Sequence, residues 1–361
     1  MQRGRVVEGY VAARSMNVVL FSRGRGNGHA VRDLALVDAL APLLPEMRLN
    51  FVSYSTGASV FRRAGRECID LNLPADTRFV DTLVLAHEVL ERHEPDLVIS
   101  HEEFSAVVAA KIHRRPCIYL SSWLPPPGSV GADALKCADV IYVLSDRNIF
   151  PPLVDLNQSP RFVGPLIREL RANGEKSEDR RRMGIGDDTF VVAVVPGGWA
   201  SEARSPIYSL VSAAFDRLAV PDRRLIWLAG DDCENIRAAS QGRSDVTVFP
   251  YVDEVEAILT ASDLVVTKGN RGATLEAEEL GIPSISISFG TNRMDDMLIR
   301  SVASNVGLRA EGLTAEILSG HFRRVLQKEA PAASGRRGTA NRRRREIAQS
   351  IADEIRRRSA R

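Results

Sequence analysis

The stretch that decides the fold is NVVLFSRGRGNGHAVRDLALVDALAPLL, residues 17–44. Val18–Phe21 is a short apolar run rich in β-branched residues. Gly24, Gly26 and Gly28 follow, three glycines in five residues, and Ala30–Leu44 then carries apolar residues at helical spacing. Strand, glycine turn and helix in that order open a βαβ unit. The glycines let the backbone turn tightly and approach a bound group, and the helix that starts after them aims free N–H groups at it. The spacing is neither GxGxxG nor GxxxxGK[ST], and no lysine follows, which excludes a P-loop ATPase.

Outward from this unit the alternation continues. Leu49–Tyr54, Leu97–Ser100, Cys117–Leu120 and Asp139–Leu144 read as strands, and Ala58–Ala64, Arg78–Arg92 and Phe104–His113 as helices. Pro151, Pro152 and Pro160 punctuate a polar stretch that reads as a linker. The pattern then restarts. Val191–Val195, Leu225–Leu228, Val246–Phe249, Leu264–Val266 and Ser284–Ser288 are expected strands; Ile207–Leu218, Val255–Thr260, Ala273–Leu280 and Asp295–Ser304 are expected helices. Residues 331–338 read as a mobile stretch. Arg342–Arg358 reads as a last helix with Ile347, Ile351 and Ile355 on one stripe, which needs a surface to cover. The sequence therefore predicts an α/β fold of two doubly wound, Rossmann-like domains facing across a cleft. The expected boundaries are a disordered extension over 1–15 (or a start at Met16), domains over 16–155 and 161–335, and a helix over 339–358 returning towards the first domain.

Composition narrows the class. Of 361 residues, 44% are hydrophobic and 26% charged, a balance typical of soluble globular chains. No apolar run approaches the ~18 residues that cross a bilayer, and the first 15 residues lack a signal-peptide core. Cys68, Cys117, Cys137 and Cys233 form no CxxC pair, which speaks against a disulfide scaffold or structural zinc and fits a reducing cytoplasm. Residues 321–361 hold 13 Lys/Arg against 4 Asp/Glu, a net +9, while the remaining residues carry −7. The basic end is either a solvated helix face or a contact for an anionic membrane surface; no nucleic-acid partner is expected.

The candidate site residues sit where strands end. His29 closes the first glycine turn; a neutral imidazole projecting over the cleft can take a proton from a hydroxyl, although a surface histidine is the bland alternative. After the strand at 97–100 come His101, Glu102 and Glu103. Either glutamate can orient an imidazole or meet acceptor hydroxyls, or simply cap the next helix. Trp123, before Pro125-Pro126-Pro127, marks a stiff loop. In the second half Gly198 and Ser201 follow a strand. Lys268, Gly269, Arg271, Gly272, Ala273, Thr274 and Glu276 form a further strand–glycine loop–helix junction. Main-chain N–H groups of Gly272, Ala273 and Thr274 can cradle a diphosphate, Glu276 can accept two ribose hydroxyls, and Lys268 and Arg271 offer cations. Asp295 and Asp296 either read a sugar or cap a helix. No HxxxH or HExxH spacing occurs, so no metal is expected.

These strings together resemble the GT-B glycosyltransferases of family 28. TKGNRGATLEAEELGIPSISISF from Thr267 is similar to that family's donor signature of small residues, Glu, then Gly-Leu/Ile-Pro. GRGNGHAVRDLAL resembles its amino-terminal glycine loop with closing histidine, GPLIRE its segment opening the donor domain, and FPYVDEVEAIL its base-holding segment. The resemblance implies that Arg168 and Val252 approach the base, Glu276 the ribose, Ala273 and Thr274 the diphosphate, and Asp295 or Asp296 the donor sugar. Gly26, Asn27, Gly28, Glu103 and Trp123 would face the acceptor, with His29 and Glu102 catalytic. It implies metal-free, inverting transfer of a hexose or N-acetylhexosamine from a nucleotide sugar, UDP by expectation, to an acceptor hydroxyl such as that of a lipid-linked sugar. Bacterial envelope or secondary-metabolite glycosylation at the inner membrane face would be the setting. Two positions depart from the family: Trp199 replaces the serine of Gly-Gly-Ser, and Met294-Asp295-Asp296 replaces its Gln-containing sugar-reading pair. The glycine–histidine string also resembles the nucleotide-sugar hydrolase of pseudaminic acid synthesis, where the histidine would activate water, and a non-catalytic nucleotide-sugar-binding protein is a third reading.

Overall fold

The computed structural model describes residues 15–147, 156, 158–170, 175–197, 206–252, 255–269, 271–290, 302, 304–329 and 338–359. Among them lie two sheets in which every recorded pairing is parallel. The first has the order β3-β2-β1-β4-β5-β6-β7, built from β1 (Met16–Ser22), β2 (Met47–Ser53), β3 (Cys68–Asp70), β4 (Leu97–His101), β5 (Cys117–Ser121), β6 (Val140–Val143) and β7 (Arg161–Phe162). Its crossovers carry α1 (Gly28–Leu40), α2 (Ser55–Arg63), α3 (Phe79–His93), α4 (Phe104–Ile112) and α5 (Val130–Leu135).

The second sheet runs β10-β9-β8-β11-β12-β13. Its strands are β8 (Phe190–Val195), β9 (Arg223–Leu228), β10 (Val246–Phe249), β11 (Leu264–Thr267), β12 (Ser284–Ser288) and β13 (Asn305–Arg309). With them go α6 (Lys176–Arg182), α7 (Ile207–Asp216), α8 (Cys233–Ala239), α9 (Val255–Ala261), α10 (Arg271–Leu280) and α11 (Ala315–Leu326), and α12 (Thr339–Ser359) follows.

The pleat explains how one short apolar run builds both faces of a layer. In β1, Val18 and Leu20 face one core with Leu36 and Leu40 of α1, while Val19 and Phe21 face another with Val107 and Ala110 of α4. A sheet covered on both faces needs this continuous apolar character.

The apolar stripe of α12 closes the first of those cores. Ile347, Ala348, Ile351, Ala352 and Ile355 pack against Leu36, Leu40 and Leu144. At about 1.5–3 kcal/mol per buried large aliphatic side chain, this holds an otherwise arginine-rich helix in place. The helix begins on the second domain: the Ala340 N–H donates to Glu279 at 2.9 Å, the Asn341 amide to the Leu170 carbonyl at 3.0 Å, and Arg344 pairs with Glu169 at 2.8 Å. It ends on the first, where Glu354, nearly sealed from solvent, pairs with Arg161 at 2.9 Å. Just past its middle, the Tyr142 hydroxyl donates to the Ser350 carbonyl at 3.0 Å.

One expectation is corrected. Residues 161–162, placed at the start of the second domain, pair with β6 and extend the first sheet. Two residues carry no readable periodicity, so sequence alone hides such a strand. The expected extension over 1–14, Pro151 and Pro152 of the linker, the helix over 295–304 (all but Val302 and Ser304) and residues 331–337 lie outside the described residues.

Candidate active site

Strand order reverses between β1 and β4, and again between β8 and β11. Loops leaving adjacent strands diverge at such a point and open a crevice. In the first domain Ser22 stands in register with His101, and the Arg23 N–H donates to the His101 carbonyl at 3.2 Å. The glycine turn and the turn after β4 therefore meet. Gly24 passes so close to Tyr54 that a Cβ would sit 2.1 Å from its carbonyl oxygen, and Gly26 holds a left-handed φ of +71°. Only glycine fits the first and favours the second.

His29 and Asp33 lie one turn apart on one face of α1. His29 Nε2 is 2.8 Å from Glu102 Oε2. The same oxygen accepts from Trp123 Nε1–H at 2.8 Å, and Oε1 accepts from the Ser122 main-chain N–H at 2.9 Å. Glu102 adopts φ +56°, a left-handed conformation that costs about 1–3 kcal/mol outside glycine and tends to mark functional positions. Burial opposes its ionisation, yet the charge and hydrogen bond of His29, with His101 and Arg32, hold its carboxyl well below the usual range. An ionised carboxylate only accepts, so His29 Nε2 is the donor and Nδ1 holds the lone pair. Burial disfavours the His29 imidazolium more than Glu102 favours it, with His101 and Arg32 adding to the effect, so its pKa is lowered. Nδ1 is buried and has no hydrogen-bond partner among the described residues.

A cavity of about 340 Å³ joins the two crevices. The first domain lines it with Arg25, Gly26, Asn27, Gly28, Val31 and Arg32. The second contributes Arg168, Val252, Lys268, Gly269, Gly272, Ala273 and Glu276. Glu276 is buried, and its Oε1 accepts from Arg168 Nε at 2.8 Å. The amino end of α10 thus opens onto the cavity beside an arginine–carboxylate pair, a suitable place for a diphosphate flanked by hydroxyls.

Several expected positions prove different. His29 does not line the cavity; its ring turns to Glu102, while Arg32, about one helical turn further on, does line it. Glu103 faces no acceptor: its buried carboxylate accepts from Tyr54 at 3.0 Å and Ser105 at 2.7 Å. Trp123 clamps Glu102 instead of lining the cavity. The Thr274 side chain turns into the sheet, 3.0 Å from the Ser286 hydroxyl, which leaves the role expected of its main-chain N–H untouched. Arg271 crosses to the first domain and donates to the Leu144 carbonyl at 3.1 Å, its pKa lowered to about 10 by burial and by Arg32. Gly198, Ser201, Asp295 and Asp296 lie outside the described residues.

Sequence reasoning passed over Arg25, Arg32, Tyr251 and the buried Asp33–His101 pair, whose Nδ1–Oδ1 distance is 2.6 Å. The spacing of His29 and Asp33 was the available signal for that pair. His29, His101 and Glu102 also form the group with metal-ligand spacing among the described residues, their candidate ligand atoms within 4.8 Å of one another. Glu102 spends its oxygens on three N–H donors, an arrangement of hydrogen bonds.

No family model matches the chain. The UDP-N-acetylglucosamine–N-acetylmuramyl-(pentapeptide) pyrophosphoryl-undecaprenol N-acetylglucosamine transferase of Fusobacterium nucleatum is 22% identical over 330 residues, 87% of this chain and 90% of its own. The Staphylococcus aureus enzyme of that name is 25% identical over 338 residues, 89% of each chain. The crystal structure of the kitacinnamycin glycosyltransferase superposes with a TM-score of 0.68 at 19% identity, covering 96% of this chain and all of the other. The fold is GT-B. The family 28 resemblance read from the motifs is borne out along nearly the whole chain. GT-B architecture also serves a UDP-GlcNAc 2-epimerase from Neisseria meningitidis (TM-score 0.65, 12% identity, 93% of this chain and 99% of that one), so the reaction must be argued from the site. No described helix of this GT-B chain is long and apolar enough to cross a membrane.

Proposed function

We propose that the protein transfers a hexose or N-acetylhexosamine from a UDP-sugar to an acceptor hydroxyl, with inversion and without a metal ion. The observation that carries this reading is the single cavity linking the amino end of α10 and the Arg168–Glu276 pair to the glycine loop before His29. The relatives named as lipid-linked N-acetylglucosamine transferases support the same assignment. The diphosphate lies against the Gly272 and Ala273 main chain, and Lys268 supplies positive charge as the leaving group departs. Glu276 accepts ribose hydroxyls, with Arg168 donating to its Oε1. Val252 lies against the base.

The acceptor hydroxyl attacks the anomeric carbon from the first domain's side. For His29 to take its proton the acceptor must reach Nδ1, which is buried and outside the cavity lining in this structure, while Nε2–H stays on Glu102, which stabilises the imidazolium formed. A lipid-linked sugar is the acceptor class we favour, met at the cytoplasmic membrane face. The test is turnover of UDP-N-acetylglucosamine and UDP-glucose with and without a lipid-linked or soluble sugar acceptor, in EDTA. Acceptor-dependent UDP release is the expected result. Acceptor-independent release would make the protein a hydrolase, and saturable binding without turnover a sensor. Activity abolished by EDTA and restored by a divalent ion would defeat the metal-free mechanism.

A further inference from the structure

Behind the His29–Glu102 pair lies a second pair that the mechanism above does not use. Asp33 and His101 are both fully buried, and His101 Nδ1 is 2.6 Å from Asp33 Oδ1. The His101 ring packs edge-on against His29, with centroids 4.9 Å apart and planes at 76°. Neither Asp33 Oδ2 nor His101 Nε2 has a hydrogen-bond partner among the described residues. A buried carboxylate beside a single imidazole, both with an unpartnered atom, is costly to maintain for packing alone. An apolar pair of similar volume would hold α1 to β4 at least as well.

We propose that Asp33 and His101 are positioning residues for His29. Asp33 fixes the proton on His101 Nδ1, and the His101 ring in turn holds His29 in the orientation that gives Nε2 to Glu102 and leaves Nδ1 to receive the acceptor's proton. This inference rests on reading His29 as the base. The groups whose charges act on His29 are Glu102 from the turn after β4, His101 at the end of β4 and Arg32 from α1, while Glu103 and Arg23 act on Tyr54 and Tyr119.

Asp33→Asn separates the possibilities. The amide keeps the shape, removes the charge, and can present an N–H that drives the His101 proton to Nε2. Losing a negative charge nearby disfavours an imidazolium, so the His29 titration should move to lower pH by about half a unit or more. The acidic limb of the kcat profile should move with it. Turnover should fall by about tenfold at least, towards the ~10⁴-fold that a wrong tautomer costs a catalytic triad. KM for the UDP-sugar should stay within about twofold, because the donor side is untouched. Lost turnover with an unmoved His29 titration would reduce the pair to a structural role and overturn the proposal.

Nitrogen-15 NMR of the histidines in the unmutated full chain gives a readout that does not depend on the variant folding. His101 is expected as the Nδ1–H tautomer, with a downfield proton reflecting the short bond to Asp33. An Nε2–H tautomer there would overturn the proposal. Because NMR reads the His29 titration without turnover, the coupling stands or falls separately from the transfer reaction. If His29→Ala left transfer intact, the base assignment would fail even where the coupling was present.

Discussion

At the scale of single residues, the chemistry divides between a base and a clamp. His29→Ala should lower kcat by ~10²–10⁴-fold, the usual worth of a positioned base, while nucleotide affinity measured by calorimetry stays the same. The pH dependence follows from the same burial. A lowered His29 pKa keeps the imidazole neutral, and able to accept a proton, below the ordinary 6.5. The acidic limb of kcat should therefore lie below pH 6.5, and a limb above it in a pH-rate profile would count against this assignment. On the donor side, Glu276→Ala removes a charged acceptor for ribose hydroxyls. UDP affinity should fall by about tenfold or more, roughly 1.4 kcal/mol or above, seen as a weaker calorimetric Kd. The types of these residues were legible because glycine and histidine stand out at strand ends. Their directions were not. Whether Thr274 points into a cavity or into a sheet depends on Ser286, twelve residues away, and whether Glu103 is free depends on Tyr54.

At the scale of elements, apolar runs carried most of the reading. The strand at Val246–Phe249, a half-buried edge strand, and the strand at Ser284–Ser288, an almost fully buried one, both have the bounds expected from sequence, since each is a short run rich in β-branched residues. Elements with little apolar signal went unread. The helix Lys176–Arg182, KSEDRRR, has no apolar stripe; Arg180 holds it in place by donating to the Ala261 carbonyl at 2.9 Å and pairing with Asp263 at 2.8 Å. The helix α12 shows the opposite case, in which three isoleucines outweigh a run of arginines. Ile351→Ala should cost about 2–5 kcal/mol, the range for a large aliphatic deleted from a packed core. Urea denaturation followed in the first domain should show it. A loss under about 0.5 kcal/mol would mean that the helix only rests on the surface.

At the scale of the whole molecule, two facing crevices share one cavity, and α12 together with side-chain contacts ties the halves together. Arg63 of α2 lies 3.7 Å over the ring of Tyr251, worth about 0.5–1 kcal/mol at an exposed position, and Arg271 reaches Leu144. A ligand that touches both walls should stabilise the assembly by RT ln(1 + [L]/Kd). A thermal-shift screen of nucleotides should therefore single out UDP and UDP-sugars; equal shifts from ADP and GDP would argue against a uracil-selective pocket at Val252.

Helix α12 has a further consequence, for biogenesis. The segment that seals the first core is translated after the entire second domain. A nascent chain leaving the ribosome must therefore carry an open, greasy trough along α1 for the time needed to make well over a hundred residues. Premature truncation in that interval would yield a half-finished domain prone to capture by chaperones, so the amino-terminal half is completed only once this helix has been made.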